Sequence, residues 1–380
     1  PGDKGGPMRI VVKIGSTIVA GEKDGLNTRR IRSIASSIAA IRDMNHDVAL
    51  VSSGAIAAGM KRLGLRERPK DIKLKQAAAA AGQAALMWTY ERSFTERGKT
   101  VAQVLLTSDD LSDRKRYINA NNTLFTLLAY GVIPIINEND TVATDELRFG
   151  DNDQLASQVA ALIEADRLVI LSDVDGLYSD DPRTSPEARI IDTVSEITPE
   201  MEARAGAAGS EYGTGGMFSK LLAAEKAMRA GITVNIINGR KPRLLTSLMG
   251  GTPHGTEFTP LKTRLRARKG WIAFSIRTKG SIAIDDGARK ALTDMGRSLL
   301  PSGIVDVEGD FQTGDAVYCV DSAGNRVAKG LTNYSSSEIR KIMGKKTSQI
   351  EQALGYRYSD EVLHRDNIVI LKASHTPPPH

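Results

Sequence analysis

Along the first 240 residues, apolar β-branched runs alternate with stretches of helical spacing. Residues 9–14 (RIVVKI) predict a strand buried on both faces, and residues 28–44 a long helix after it. Residues 47–51 (DVALV) give a second strand, followed by helices over 55–63 and the alanine-rich 74–97. Residues 100–106 are a third strand with a helix over 113–130, and 132–136 (VIPII) a fourth. Residues 168–171 and 232–237 complete the set. Strands without polar alternation, separated by helices, predict a mainly parallel α/β sheet covered on both faces. Such sheets bind ligands beyond the carboxyl ends of their strands, so the residues just past each strand are the place to seek chemistry.

After residue 275 the pattern changes to short strands between Gly/Asp turns: 281–284, 304–307, 316–320 and 326–331. This predicts a small β-rich domain. The charge divides at the same place. Residues 1–260 hold 32 Lys+Arg and 32 Asp+Glu, so the whole net charge of +6 belongs to residues 261–380. The excess begins with Lys262, Arg264, Arg266, Arg268 and Lys269. The expected organisation is a flexible extension over 1–7, a catalytic domain over 8–260 and a basic linker over 261–276. A β-rich domain over 277–356 and a tail over 357–380 complete it. A single cysteine, Cys319, excludes an internal disulfide scaffold and a thiolate zinc site, and fits a reducing, cytoplasmic setting. No apolar run reaches the roughly 18 residues of a membrane span, and no apolar secretory leader opens the chain.

The first strand ends in Lys13-Ile-Gly15-Ser16-Thr17, a lysine beside a glycine turn, which can present an ammonium to an anion. The second runs into Ser52-Ser53-Gly54, a helix start whose backbone N–H groups suit a carboxylate or phosphate, and equally plain serine capping. The fourth runs into Asn137-Glu-Asn-Asp140, with Asn152-Asp153 opening a later helix, more polar groups than one cap requires. The fifth ends in Ser172-Asp173-Val-Asp175-Gly176. The sharpest element is Gly213-Thr214-Gly215-Gly216-Met217-Phe218-Ser219-Lys220 at a helix start. Glycines let backbone amides approach phosphate oxygens, and a lysine one turn in reaches a terminal phosphoryl group. It is not a Walker A motif, because Ser219 stands where that motif needs glycine. No H-E-x-x-H, G-x-S-x-G or early G-x-G-x-x-G is present, which disfavours zinc hydrolase, serine hydrolase and dinucleotide oxidoreductase chemistry. Lysines, acids and hydroxyls at strand ends with a glycine loop point to phosphoryl transfer.

The stretches VVKIGST (11–17), VSSGAIAAG (51–59), PIINENDTVAT (134–144), FGDNDQLA (149–156), LSDVDGLY (171–178) and GTGGMFSK (213–220) occur in this order between residues 11 and 220. In this the chain resembles the glutamate 5-kinase family. GRSLLPSGIVDVEGDFQTGD (296–315) and AKGLTNYSSSEI (328–339) look like a PUA domain. The resemblance implies a three-layer amino-acid-kinase fold with a PUA appendage, and ATP-dependent phosphorylation of the glutamate γ-carboxylate as the first step of proline biosynthesis. It implies that Lys13 and Lys220 bind the ATP phosphates, and that Asp153 orients both lysines. Ser53, Asp140 and Asn152 would hold glutamate. Ser172 and Asp173 would line the nucleotide site with Thr214, Gly215, Gly216, Met217, Phe218, Ser219 and Lys220. Mg²⁺ would ride on the ATP phosphates, with no protein ligand assigned. A homodimer or homotetramer, proline as feedback inhibitor and a glutamyl phosphate reductase downstream belong to the same implication. Two other readings stay open on the sequence: an RNA-binding or RNA-modifying factor acting through the PUA-like domain, and a sibling kinase with another acceptor.

Overall fold

The computed structural model describes residues 6–21, 25–142, 152–207, 216–260 and 278–371. Arg9–Ile14 forms β1, and its alternation sorts the first core into two halves. Ile10, Val12 and Ile14 pack on one side with Ile31, Ile34 and Ile38 of α2 (Thr28–Asp43). Val11 packs on the other with Leu155 and Val159 of α7 (Asn152–Leu162) and Leu221 and Ala224 of α9 (Met217–Arg229). Each such side chain, fully buried, contributes about 1.5–3 kcal/mol. Lys13 shares the parity of Val11, so the strand that supplies core also delivers an ammonium toward α7 and α9.

Between β1 and α2 lie α1 (Ser16–Val19) and a two-residue ribbon, β2 (Ala20–Gly21) with β3 (Gly25–Leu26). Then come β4 (Asp47–Ser52), α3 (Ala55–Arg62), α4 (Ile72–Thr95), β5 (Val101–Leu106), α5 (Ser108–Ser112), α6 (Arg114–Ala129) and β6 (Ile133–Glu138). After α7 come β7 (Arg167–Ser172), β8 (Thr193–Val194) and α8 (Pro199–Ala207). α9 is succeeded by β9 (Thr233–Asn238), α10 (Arg243–Met249) and β10 (Thr256–Phe258). The strand order is β5-β6-β4-β1-β7-β9-β10-β8, parallel except where β10 meets β9. This is the expected mainly parallel sheet between two helical layers, and β1 at its centre is flanked by β4 and β7. The hydrophobic pattern does not predict β8 and β10, which are too short to show one.

Local chemistry moves two helix boundaries. The Asp71 side chain accepts from Lys73 N at 3.2 Å and starts α4 at Ile72, ahead of the expected 74. Thr107 and Asp110 form a capping box that creates the separate α5 before α6. α3 and α4 cross at backbone contact. A Cβ on Gly59 would lie 1.7 Å from Ala78 O, and one on Gly82 would lie 1.8 Å from Ala55 O. Only glycine fits either position.

The chain divides into two units, Pro1–Arg264 and Leu265–His380. The second contains β11 (Thr278–Ile284), β12 (Ile304–Gly309), β13 (Ala316–Val320), β14 (Arg326–Leu331) and β15 (Ile368–Ile370), in the order β12-β11-β13-β14-β15. Its core gathers Ile282, Phe311, Val317, Tyr334 and Leu363. Residues 357–371, beyond the expected domain end at 356, make contacts with this sheet. β15 pairs with β14, Ser359 N donates to the Tyr334 hydroxyl at 2.8 Å, and Asn333 Nδ2 donates to Glu361 O at 3.0 Å. The segment is polar and its strand only three residues long, so no periodicity marked it. The expected basic linker lies outside the described residues. Among the described residues no helix is long and apolar enough to cross a membrane.

Candidate active site

The ends of β1, β4, β6 and β7 open onto one cleft of about 2320 Å³. Its floor is a buried charge cluster. Lys13 Nζ pairs with Asp153 Oδ1, and Lys220 Nζ lies 3.4 Å from Asp153 Oδ2. Asp153 is wholly buried, and the two lysines are 3% and 7% exposed. The three come from β1, the first turn of α7 and the first turn of α9, so packing of the two helices on the sheet brings them together. Among the described residues these two ammoniums and one carboxylate carry a formal +1, suited to an anion. At 4 Å and an effective dielectric near 20, one unit-charge contact is about 4 kcal/mol before desolvation.

Beside this cluster lies a neutral network. Asn152 Nδ2 donates to Ser52 O (2.8 Å), Ser53 Oγ (2.9 Å) and Asn137 Oδ1 (2.9 Å). Because Ser53 Oγ accepts from Asn152, its own hydrogen is left to donate elsewhere. Asn137 Oδ1 also accepts from Glu138 N (2.9 Å), and Asn137 Nδ2 donates to Gln83 Oε1 (3.0 Å). Below it the Ser52 hydroxyl meets the Tyr90 hydroxyl at 2.8 Å. Burial pushes the Tyr90 phenol far above its ordinary range, so it stays neutral. The turn into α3 needs glycine at 54: φ is +108°, and a Cβ there would lie 2.6 Å from Val19 Cγ2.

Ser53, Asn152 and Asp140 all line the cleft. So do Ser172, whose hydroxyl lies 3.3 Å from Asp173 Oδ1, and Asp173 itself. Hydrogen bonds from Asn238 (2.9 Å) and Lys241 (3.1 Å) hold the Asp175 carboxyl below its ordinary value. Of the glycine-loop residues, Gly216, Met217 and Lys220 line the cleft, whereas Phe218 and Ser219 do not. Helical spacing explains this, since positions 217 and 220 share a face of α9 that 218 and 219 do not. Thr214 and Gly215 lie outside the described residues. Two residues of the network were not expected as site residues, Asn137 and Gln83. Asn137 opens the polar run that follows the apolar part of the fourth strand. Gln83 is the one polar side chain between Gln76 and Thr89 of α4, and this interruption of an alanine tract was its signal.

No group of three or more His, Cys, Asp or Glu able to hold a metal ion occurs among the described residues. Paired buried lysines at strand and helix ends of an open α/β sheet suit a phosphate-bearing ligand. Residues 8–238 match the amino acid kinase family, and residues 280–354 match the PUA domain. The chain belongs to the amino acid kinase family, and it is a phosphotransferase. It is 52% identical over 363 residues to the glutamate 5-kinase of Geobacter sulfurreducens, covering 96% of this chain and 97% of that protein. It is 50% identical over 364 residues to the glutamate 5-kinase of Syntrophotalea carbinolica, with the same two coverages. Identity is also 50% over 365 residues to the glutamate 5-kinase of Thermoanaerobacter sp. strain X514, covering 96% and 98%.

Proposed function

We infer that the protein transfers the terminal phosphoryl group of ATP to the γ-carboxylate of L-glutamate, making L-glutamyl 5-phosphate, the first step of proline biosynthesis. The observation that carries this reading is the Lys13–Asp153–Lys220 cluster on the floor of the cleft, in a chain about half identical over nearly its full length to glutamate 5-kinases. The nucleophile is a carboxylate, ionised at pH 7 because an unperturbed Glu has a pKa of about 4.3. No general base is needed. The demands are in-line positioning and neutralisation, since nucleophile and phosphate are both anionic. In this reading Lys13 and Lys220 stabilise the charge on the phosphoryl group in flight, and Asp153 holds both ammoniums on the transfer line. Ser53 donates its hydroxyl hydrogen to the acceptor, Asn152 fixes Ser53, and Asp140 binds the amino end. Ser172, Asp173 and the first turn of α9 receive the nucleotide. Mg²⁺, carried on the ATP phosphates, supplies further neutralisation of their charge.

The same reading brings finer expectations: a cytoplasmic homodimer or homotetramer, feedback by proline, consumption of the acyl phosphate by a glutamyl phosphate reductase, and RNA contact by the PUA domain. The test of the reaction is incubation with ATP, Mg²⁺, L-glutamate and hydroxylamine, which traps an acyl phosphate as hydroxamate. Glutamate-dependent hydroxamate is expected. Product only with aspartate or N-acetylglutamate would assign a sibling acceptor, and none with any acid would overturn the reading.

A further inference from the structure

The amide network ends in a residue outside the cleft. Gln83 does not line it, yet Gln83 Oε1 accepts from Asn137 Nδ2 at 3.0 Å. The orientation of each amide is dictated by its partners. Asn137 Oδ1 takes two donors, Asn152 Nδ2 and Glu138 N, so Asn137 must present its NH₂ to Gln83. Gln83 must then present its oxygen, which turns Nε2 into a place closed to solvent with no hydrogen-bond partner among the described residues. Burying the unpaired Nε2 is unfavourable, and what Gln83 supplies against that cost is Oε1, the acceptor of the buried Asn137 Nδ2. Packing alone therefore does not account for glutamine here. Its neighbours in α4 are alanines, and Gly82 brings the helix to backbone contact with α3, which sets the depth at which residue 83 meets β6.

We propose that Gln83 is a positioning residue for the acceptor subsite. Its Oε1 sets the flip state of Asn137, and through Asn137 it sets the Asn152–Ser53 pair that meets the acceptor amino acid. The inference rests on the assignment of Ser53 and Asn152 to the acceptor.

The test is steady-state kinetics of Gln83→Met, Asn137→Ala, their double variant and Asn152→Ala, with thermal unfolding of each. Gln83→Met should raise the KM for glutamate about tenfold, equivalent to about 1.4 kcal/mol, and leave kcat within about twofold. The KM for ATP should not change, and the Tm should stay close to that of the parent, because the variant removes one buried unpaired donor, Gln83 Nε2, and leaves another, Asn137 Nδ2. The double variant should be no worse than Asn137→Ala alone, since both act through one contact. An unchanged glutamate KM in Gln83→Met, additive effects in the double variant, or a fallen Tm with all kinetic constants moved together would each overturn the proposal. Asn152→Ala separates the two levels. If it leaves the glutamate KM unchanged, the acceptor assignment fails and this inference with it. If it raises that KM while Gln83→Met does not, only the role of Gln83 fails.

Discussion

Two neighbouring parts of one cleft are built from opposite materials. The floor is made of full charges, Lys13 and Lys220 on either side of a wholly buried Asp153. The wall is made of neutral groups, Ser53, Asn137 and Asn152, backed from outside the cleft by Gln83 and joined by hydrogen bonds of 2.9–3.0 Å. In the proposed reading the difference reflects the chemistry each part would face. Charge develops on a phosphoryl group in flight, and only fixed charges gain from that change. A carboxylate acceptor needs to be held in line without being stabilised so strongly that its nucleophilicity is lost, and hydroxyl and amide dipoles do this. The floor should therefore govern kcat and the wall should govern the KM of the acceptor.

The largest expected effect tests the floor. Lys220→Ala should lower kcat by about 10²–10³, the usual loss when one preorganised donor to a transition-state oxygen is removed. Its KM for glutamate should move little, and a normal kcat would remove Lys220 from the mechanism. Asp153→Asn should lose stability as well as rate. It leaves two buried ammoniums without their anion, a defect of about 3–5 kcal/mol, readable by denaturant unfolding. A variant as stable as the parent would mean that the lysines do not depend on Asp153.

Effects in the proposed acceptor subsite should be smaller and of another kind. Asp140→Ala should chiefly raise the KM for glutamate, with kcat at saturation retained, and an unchanged KM would sink its assignment. The smallest effect lies at Asp175, which does not line the cleft. Asp175 has its folded pKa lowered by Asn238 and Lys241, so its contribution to stability is present above the unfolded value of about 3.9 and is lost as pH falls through the folded value. Asp175→Asn should be slightly less stable than the parent at pH 7, and the gap should close on acidification below pH 4. A gap independent of pH would contradict the hydrogen-bonded carboxylate.

The sheet was legible because β1, β4, β6, β7 and β9 are buried on both faces and keep continuous apolar runs. Strands β8 and β10, two and three residues long, carry no period to read. At the site, Lys220 stood out because it opens a helix after a run of glycines, whereas Lys13 at the end of its strand reads as readily as a strand-edge surface lysine and drew its role from the family resemblance. The wall was harder to read. Asn137 belongs to the end of its strand, and its partner Gln83 lies 54 residues away on a helix whose own pattern is plain alanine. That pairing depends on how closely α4 approaches α3, set by Gly59 and Gly82, and no local spacing encodes it. The same limit hid the last strand of the second unit, whose three residues pair with a strand some 40 positions earlier.

The division of labour is tested most directly by measuring kcat and the glutamate KM of Lys220→Ala and Asn152→Ala side by side, with ATP saturating. A crossed pattern is expected. Lys220→Ala loses kcat at a nearly constant KM, and Asn152→Ala raises KM about tenfold or more at a nearly constant kcat. Loss of the same constant by the same factor in both variants would contradict the division.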